Sequence, residues 1–138
     1  MPALEFLDTN VLVYAYDPGD SRKQRIAQEL IRRALAGDCL LSTQVLAEFA
    51  ATVLHKMQPA ARPEDVAAVL DALGAIRVVI PDADVVRRAV DVRAEYGVHF
   101  YDGMIVAAAE RGGCGRIWSE ELNPGQKYFG VAVENPFR

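Results

Sequence analysis

The sequence predicts an α/β protein with a mostly parallel five-stranded sheet flanked by helices. Short apolar runs of strand length alternate with longer stretches of helical periodicity. Several such strand–helix steps follow one another, the pattern of a parallel sheet covered by helices. The chain has 138 residues, 51% hydrophobic and 25% charged. That balance excludes a wholly disordered chain, and the length fits one domain over residues 1–138.

Ala3–Leu7 (ALEFL) reads as a buried first strand ending at Asp8. Thr9–Tyr16 stays apolar and fits a strand or a short helix by periodicity; its Thr9-Asn10 opening favours the helix. Turn residues Asp17-Pro18-Gly19-Asp20 follow, and Asp20 or Ser21 caps a helix to about Ala36, with Ala27, Leu30, Ile31, Ala34 and Leu35 as its core stripe. Cys39–Leu41 makes a second strand, and Ser42-Thr43 caps a helix whose Leu46, Phe49, Ala50, Val53, Leu54 and Met57 share one face. Pro63 opens a fourth helix that Gly74 follows, and Arg77–Ile80 is a third strand. A helix over about Asp84–Tyr96 stops at Gly97, and Asp102 opens a small-residue helix over Gly103–Arg111. Arg116–Trp118 and Val131–Val133 supply the fourth and fifth strands.

The longest apolar runs, Val11–Tyr16 and Met104–Ala109, are six residues each, far below the ~18 that span a bilayer. The N-terminal MPALEFLDTN lacks the basic and apolar regions of a signal peptide. Cys39 and Cys114 form no C-x-x-C, so a reduced, cytoplasmic protein with two packed thiols is expected. The net charge of −4 excludes a surface that is basic throughout, though not a local basic face.

In open α/β sheets, sites form beyond the carboxyl ends of the strands. Asp8 follows strand one, Glu48 lies in the second turn after strand two, Asp102 opens the helix before strand four, and Ser119-Glu120-Glu121 follows strand four. Each acid alone has an ordinary structural reading: Asp8 as a helix cap, Asp102 as a charge on a helix N-terminus, Glu48 as a solvated residue, Glu120 and Glu121 as loop charges. Together they crowd one edge. Two carboxylates 4 Å apart repel by about 4 kcal/mol at an effective dielectric near 20, and a hard divalent cation offsets that repulsion. Oxygen ligands with little histidine suit magnesium. His55 and His99 show no zinc spacing and no nucleophile partner. Asp8-Thr9-Asn10 lacks the second acid of a dehalogenase-type phosphatase, and Lys127 is misplaced for a response-regulator receiver.

The blocks FLDTNVLVY (residues 6–14), LAEF (46–49), YDGMIVAAA (101–109) and IWSEELNPGQKYFGVAVENPF (117–137) carry a resemblance. In order and spacing they resemble the PIN-domain ribonucleases, most closely the VapC-type toxins of VapBC toxin–antitoxin pairs. The resemblance implies a three-layer fold with strand order 3-2-1-4-5 and an endoribonuclease that hydrolyses RNA phosphodiesters with Mg²⁺ or Mn²⁺. It places catalytic acids at Asp8, Glu48, Asp102 and Glu121, with metal at Asp8, Asp102 and Glu121. Asn10, Ser119 and Glu120 take supporting roles. Where the family commonly has Ser/Thr-x-Asp after strand four, this chain has Ser119-Glu120-Glu121; Glu121 holds the aspartate's place and Glu120 is the alternative. The resemblance also implies a cognate antitoxin and a homodimer. The rival reading is a catalytically weak PIN-like module that binds RNA or protein.

Arg22, Arg25, Arg32 and Arg33 recur along the second helix, readable as a solvated face or as a contact for RNA or an acidic partner. Arg87, Arg88 and Arg93 form a second such set. Phe100 and Tyr101, beside Asp102, fit either stacking on a base or core packing.

Overall fold

The computed structural model describes residues 3–138. Its first half alternates as the sequence predicts: β1 (Leu4–Leu7), α1 (Thr9–Tyr16), α2 (Ser21–Leu35), β2 (Cys39–Ser42), α3 (Thr43–His55), α4 (Pro63–Ala72) and β3 (Arg77–Val79). The second half holds α5 (Ala83–Tyr96), α6 (Phe100–Arg111), β4 (Cys114–Trp118), β5 (Lys127–Tyr128) and β6 (Val131–Glu134). The caps are those the sequence offers. Asp8, Asp20, Ser42 and Asp82 each accept a backbone N–H at a helix start, and Gly97 closes α5 in the left-handed region at φ 72°.

The strands form one six-stranded sheet in the order β3-β2-β1-β4-β6-β5. All pairs are parallel except β5–β6. The expected fifth strand is β6; the sixth is the short β5, paired antiparallel on the outer edge. Their hairpin turns at Phe129 and Gly130, both at positive φ. That is the backbone a tight hairpin needs, and it more often recruits Asn-Gly. Phe129 is held there by its N–H, which donates to the Tyr96 hydroxyl at 2.9 Å, and by the Arg88 guanidinium 3.9 Å from its ring centroid.

Strand order reverses at β1, which sits between β2 and β4. That reversal opens a crevice at the carboxyl ends of β1 and β4. The core beneath it is apolar: Phe6, Leu7, Leu40, Leu41, Phe49, Ile105 and Ile117 are almost wholly buried. Leu35 and Ile80, read from sequence as core and strand, are 46% and 75% exposed. Leu35 is the last residue of α2 and Ile80 lies one past β3, where neither helix nor sheet covers them. Cys39 and Cys114 are buried free thiols, pushed up to about 11 and about 12 chiefly by burial. Among the described residues no helix is long and apolar enough to cross a membrane.

The helix α6 begins two residues before Asp102, at Phe100, with His99 as its cap. Its close approach to α5 depends on Gly103, since a Cβ there would lie 2.8 Å from the Ala89 carbonyl oxygen. Gly103→Ala returns up to ~1 kcal/mol of helix propensity, but overpacking against backbone costs about 1–3 kcal/mol. The clash wins. The variant should melt several degrees below wild type in a thermal scan; an equal or higher midpoint would show that α5 and α6 separate freely.

Candidate functional site

The first acid is placed by the end of β1. Asp8 is 6% exposed and caps α1: one carboxylate oxygen accepts from the Thr9 N–H at 2.7 Å. The other accepts from the Ser119 hydroxyl at 2.7 Å and from Asn10 Nδ2 at 3.4 Å. Capping and site membership are therefore the same geometry. Burial, and after it the charges of Glu121 and Glu48, raise the Asp8 carboxyl from 3.8 to about 6, against the lowering effect of the Ser119 and Thr9 bonds.

Thr9 links the first acid to the second. Its N–H serves Asp8 while its hydroxyl donates to Glu48 Oε1 at 2.9 Å. Glu48 is thus half-buried and fixed, although it lies off the apolar stripe of α3. Asp102 enters from the first turn of α6. Its backbone neighbour is pinned by Gln44 Nε2, which donates to the Tyr101 carbonyl at 3.1 Å.

Ser119 fixes the last acidic segment. Its hydroxyl oxygen accepts from the N–H groups of Glu121 and Leu122 at 3.2 and 3.1 Å while donating to Asp8. Asn10 Oδ1 accepts from the Glu120 N–H at 3.2 Å. These bonds turn Glu120 and Glu121 in different directions. Glu120 accepts from Lys23 Nζ at 2.6 Å and from the Tyr14 hydroxyl at 2.5 Å. Burial raises its carboxyl, but those two partners outweigh it and hold it below the usual range. Glu121 instead joins Asp8, Glu48 and Asp102 in the wall of one cavity of about 380 Å³. Partial burial and the charges of Asp102, Glu48 and Glu120 raise its carboxyl, with Lys56 opposing.

The cavity therefore gathers acids from four separated segments, with Thr9, Asn10, Tyr14, Thr52 and Lys56 among its other lining residues. Thr9, Tyr14 and Lys56 escaped the sequence reading. Thr9 stood inside the D-T-N run, whose middle residue was available as a link; nothing at sequence level marked Lys56. Among the described residues no three His, Cys, Asp or Glu side chains are placed closely enough to grip one ion between them. The donor set nonetheless fits a hard cation. It is all carboxylate, the neighbouring charges add to burial in raising the Asp8 and Glu121 carboxyls, and magnesium needs only one or two carboxylates beside its retained waters.

The expected basic face of α2 is mostly committed within the molecule. Arg22 donates to the Phe137 carbonyl at 2.6 Å, Arg32 pairs with Glu29, and Arg33 pairs with the buried Glu5; Arg25 is exposed. Arg87 pairs with Asp91, Arg88 with Glu110, and Arg93 donates to the Val98 carbonyl. The Arg32–Glu29 and Arg87–Asp91 pairs lie within one helix at spacings legible in the sequence, whereas the partners of Arg22, Arg33 and Arg88 come from other elements.

The PIN domain family model matches residues 6–122. The chain belongs to the PIN-domain family. No curated protein matches it in sequence. Solved structures similar to this PIN domain include FitAB bound to an IR36 DNA fragment, with TM-score 0.69, 21% identity, and 98% of this chain and 96% of that chain covered. A toxin–antitoxin complex from Klebsiella pneumoniae gives TM-score 0.65 at 19% identity over 96% and 97% of the two chains. VapC20 of Mycobacterium tuberculosis, a toxin that cleaves the sarcin–ricin loop, gives 0.65 at 20% over 86% and 91%. At such identities the likeness establishes a shared fold.

Proposed function

We propose that this PIN domain is a divalent-metal-dependent endoribonuclease, acting over residues 1–138 as one unit and forming the toxin half of a toxin–antitoxin pair. The carrying observation is the convergence of Asp8, Glu48, Asp102 and Glu121 on one cavity. Asp8, Asp102 and Glu121 would hold Mg²⁺ or Mn²⁺, which when bound supplies charge neutralisation and activates water towards a phosphodiester. The chain's own contribution is placement. Ser119, Asn10 and the Thr9 N–H hold the Asp8 carboxylate, so it would meet the cation without rearranging. The Thr9 hydroxyl fixes Glu48, which accepts a hydrogen bond from the attacking water and aligns it. Water adds to phosphorus and gives up a proton to solvent, the bond to the leaving ribose oxygen breaks, and that oxygen takes up a proton from solvent.

A toxin–antitoxin complex among the structural neighbours supports a partner protein for this chain as well. The apolar groove formed by Leu12, Tyr16, Ile31, Phe49, Val69 and Leu73 offers such a partner a seat. A homodimer and a cytoplasmic location belong to the same reading.

The test is cleavage of single-stranded RNA by the purified protein with magnesium or manganese, and with chelator. Metal-dependent cleavage is expected. RNA binding without cleavage at any metal concentration would select the binding-module reading instead. Within the assay, Glu121→Gln should cost at least tenfold more activity than Glu120→Gln. Glu121 faces the acids, whereas Glu120 is occupied by Lys23 and Tyr14. The reverse ranking would exchange their roles.

A further inference from the structure

The acid cavity presents a problem for its own proposed substrate, because its walls repel phosphate. One lining residue answers it. Lys56 caps the C-terminus of α3, is exposed, and is the lysine that lines the cavity. Among the described residues it joins none of the ion pairs. Lys23, on α2, is already bound to Glu120. Glu48, Thr52 and Lys56 follow one another at four-residue steps along α3 and all line the cavity. One step earlier on that ridge stands Gln44, bonded to the Tyr101 carbonyl. Tyr101 is 56% exposed. Its ring lies nearly parallel to His99, with centroids 5.8 Å apart, and against the edge of Phe100. An aromatic face is thus held open beside Asp102, and a free ammonium lies roughly 18 Å along the helix axis from its Gln44 tether.

We propose that Lys56 and Tyr101 hold a single-stranded RNA segment along α3, across the acid cavity, Lys56 by a phosphate and Tyr101 by stacking on a base. The proposal rests on the ribonuclease reading and adds how the strand is held. It differs from the plain alternative in which Lys56 only offsets the nearby carboxylates and the negative end of α3. An offsetting charge has no share in the counterions that RNA releases on binding. A phosphate contact does, and on single strands each contributes about 0.7 to the slope of log affinity against log salt.

The experiment measures fluorescence anisotropy of a labelled oligouridylate with Asp102→Asn protein, which keeps the strand intact, in magnesium over a salt series. Adding Lys56→Ala should lower affinity and reduce the salt slope by about 0.7, and Lys56→Arg should restore the slope. Adding Tyr101→Ala should weaken binding about 5- to 150-fold with the slope unchanged, and Tyr101→Phe should retain it. Both side chains are exposed, so these truncations should leave the melting midpoint in place. An unchanged slope in Lys56→Ala, unchanged affinity in Tyr101→Ala, or no binding by the parent overturns the proposal. Binding that depends on Lys56 and Tyr101, in a protein whose wild type never cleaves RNA, would instead refute the hydrolase reading and leave the strand path intact.

Discussion

Asp8→Asn, Glu48→Gln and Asp102→Asn should each lower metal-dependent RNA cleavage by well over a hundredfold while leaving the secondary structure intact. Loss of a residue that merely orients a metal ligand typically costs 10–100-fold, and these three stand in the cavity itself. The three losses should also be far from additive, because the acids act on one bound assembly. Two variants combined should therefore be little worse than either alone. Asp102 gives the cleanest case, since it projects from a helix anchored through α5 and the Gln44 bond rather than through its own carboxylate. Steady-state rates together with circular dichroism decide the matter. Near-wild-type activity in any two of the three would remove the cavity from the reaction.

A second large effect is expected on stability. The folded protein keeps a proton on Asp8 up to about pH 6, whereas an unfolded aspartate releases it near 3.8. Between those values the folded state binds more protons, so the sign is fixed: without metal, the Asp8 contribution weakens as pH rises from about 4 to 6. Its full size is about 3 kcal/mol. Urea unfolding in chelator at pH 4 and pH 7.5 should show this fall in wild type and lack it in Asp8→Asn. The variant's absolute stability also reflects bonds lost to Thr9, Asn10 and Ser119, so the difference between the two pH values is the quantity that reports. Magnesium should recover the loss at pH 7.5, with about 2.7 kcal/mol at a hundredfold excess over Kd. It should do less for Asp102→Asn. Equal pH dependence in wild type and Asp8→Asn would falsify the assignment of this strain to Asp8.

Much of the frame was legible because local chemistry and tertiary structure agree. Asp20, Ser42 and Gly97 punctuate helices where their side chains or backbone freedom require it. Phe49 and Val53 recur at helical spacing and are buried. The gathering of acids at one edge followed from strand–helix order, since each acid lies close to a turn at that edge. What stayed hidden depended on partners distant in sequence. Asp102 looked like the opening of α6 because an acid favours a first turn, whereas the cap is His99, whose Nδ1 accepts from the Tyr101 N–H. The β5–β6 hairpin was masked by Phe129, a residue seldom found at positive φ and held there by Tyr96 and Arg88. That Glu120 is drawn away to Lys23 and Tyr14 depends on residues 97 and 106 positions distant.

The placement of β1 between β2 and β4 also governs when the site comes into being on the ribosome. Asp8 is synthesised well before its partner, because the hydroxyl that holds it belongs to Ser119, 111 residues later. Until β4 emerges, β1 has a neighbour on its β2 side and a row of unpaired backbone groups on the other. An unfinished chain therefore carries an adhesive strand edge and an unfinished cavity together. Docking of β4 closes the edge, and the loop behind it supplies Ser119 and Glu121. For a protein proposed to cut its host's RNA, the complete acid cavity waits on the synthesis of β4 and of the Ser119–Glu121 segment behind it.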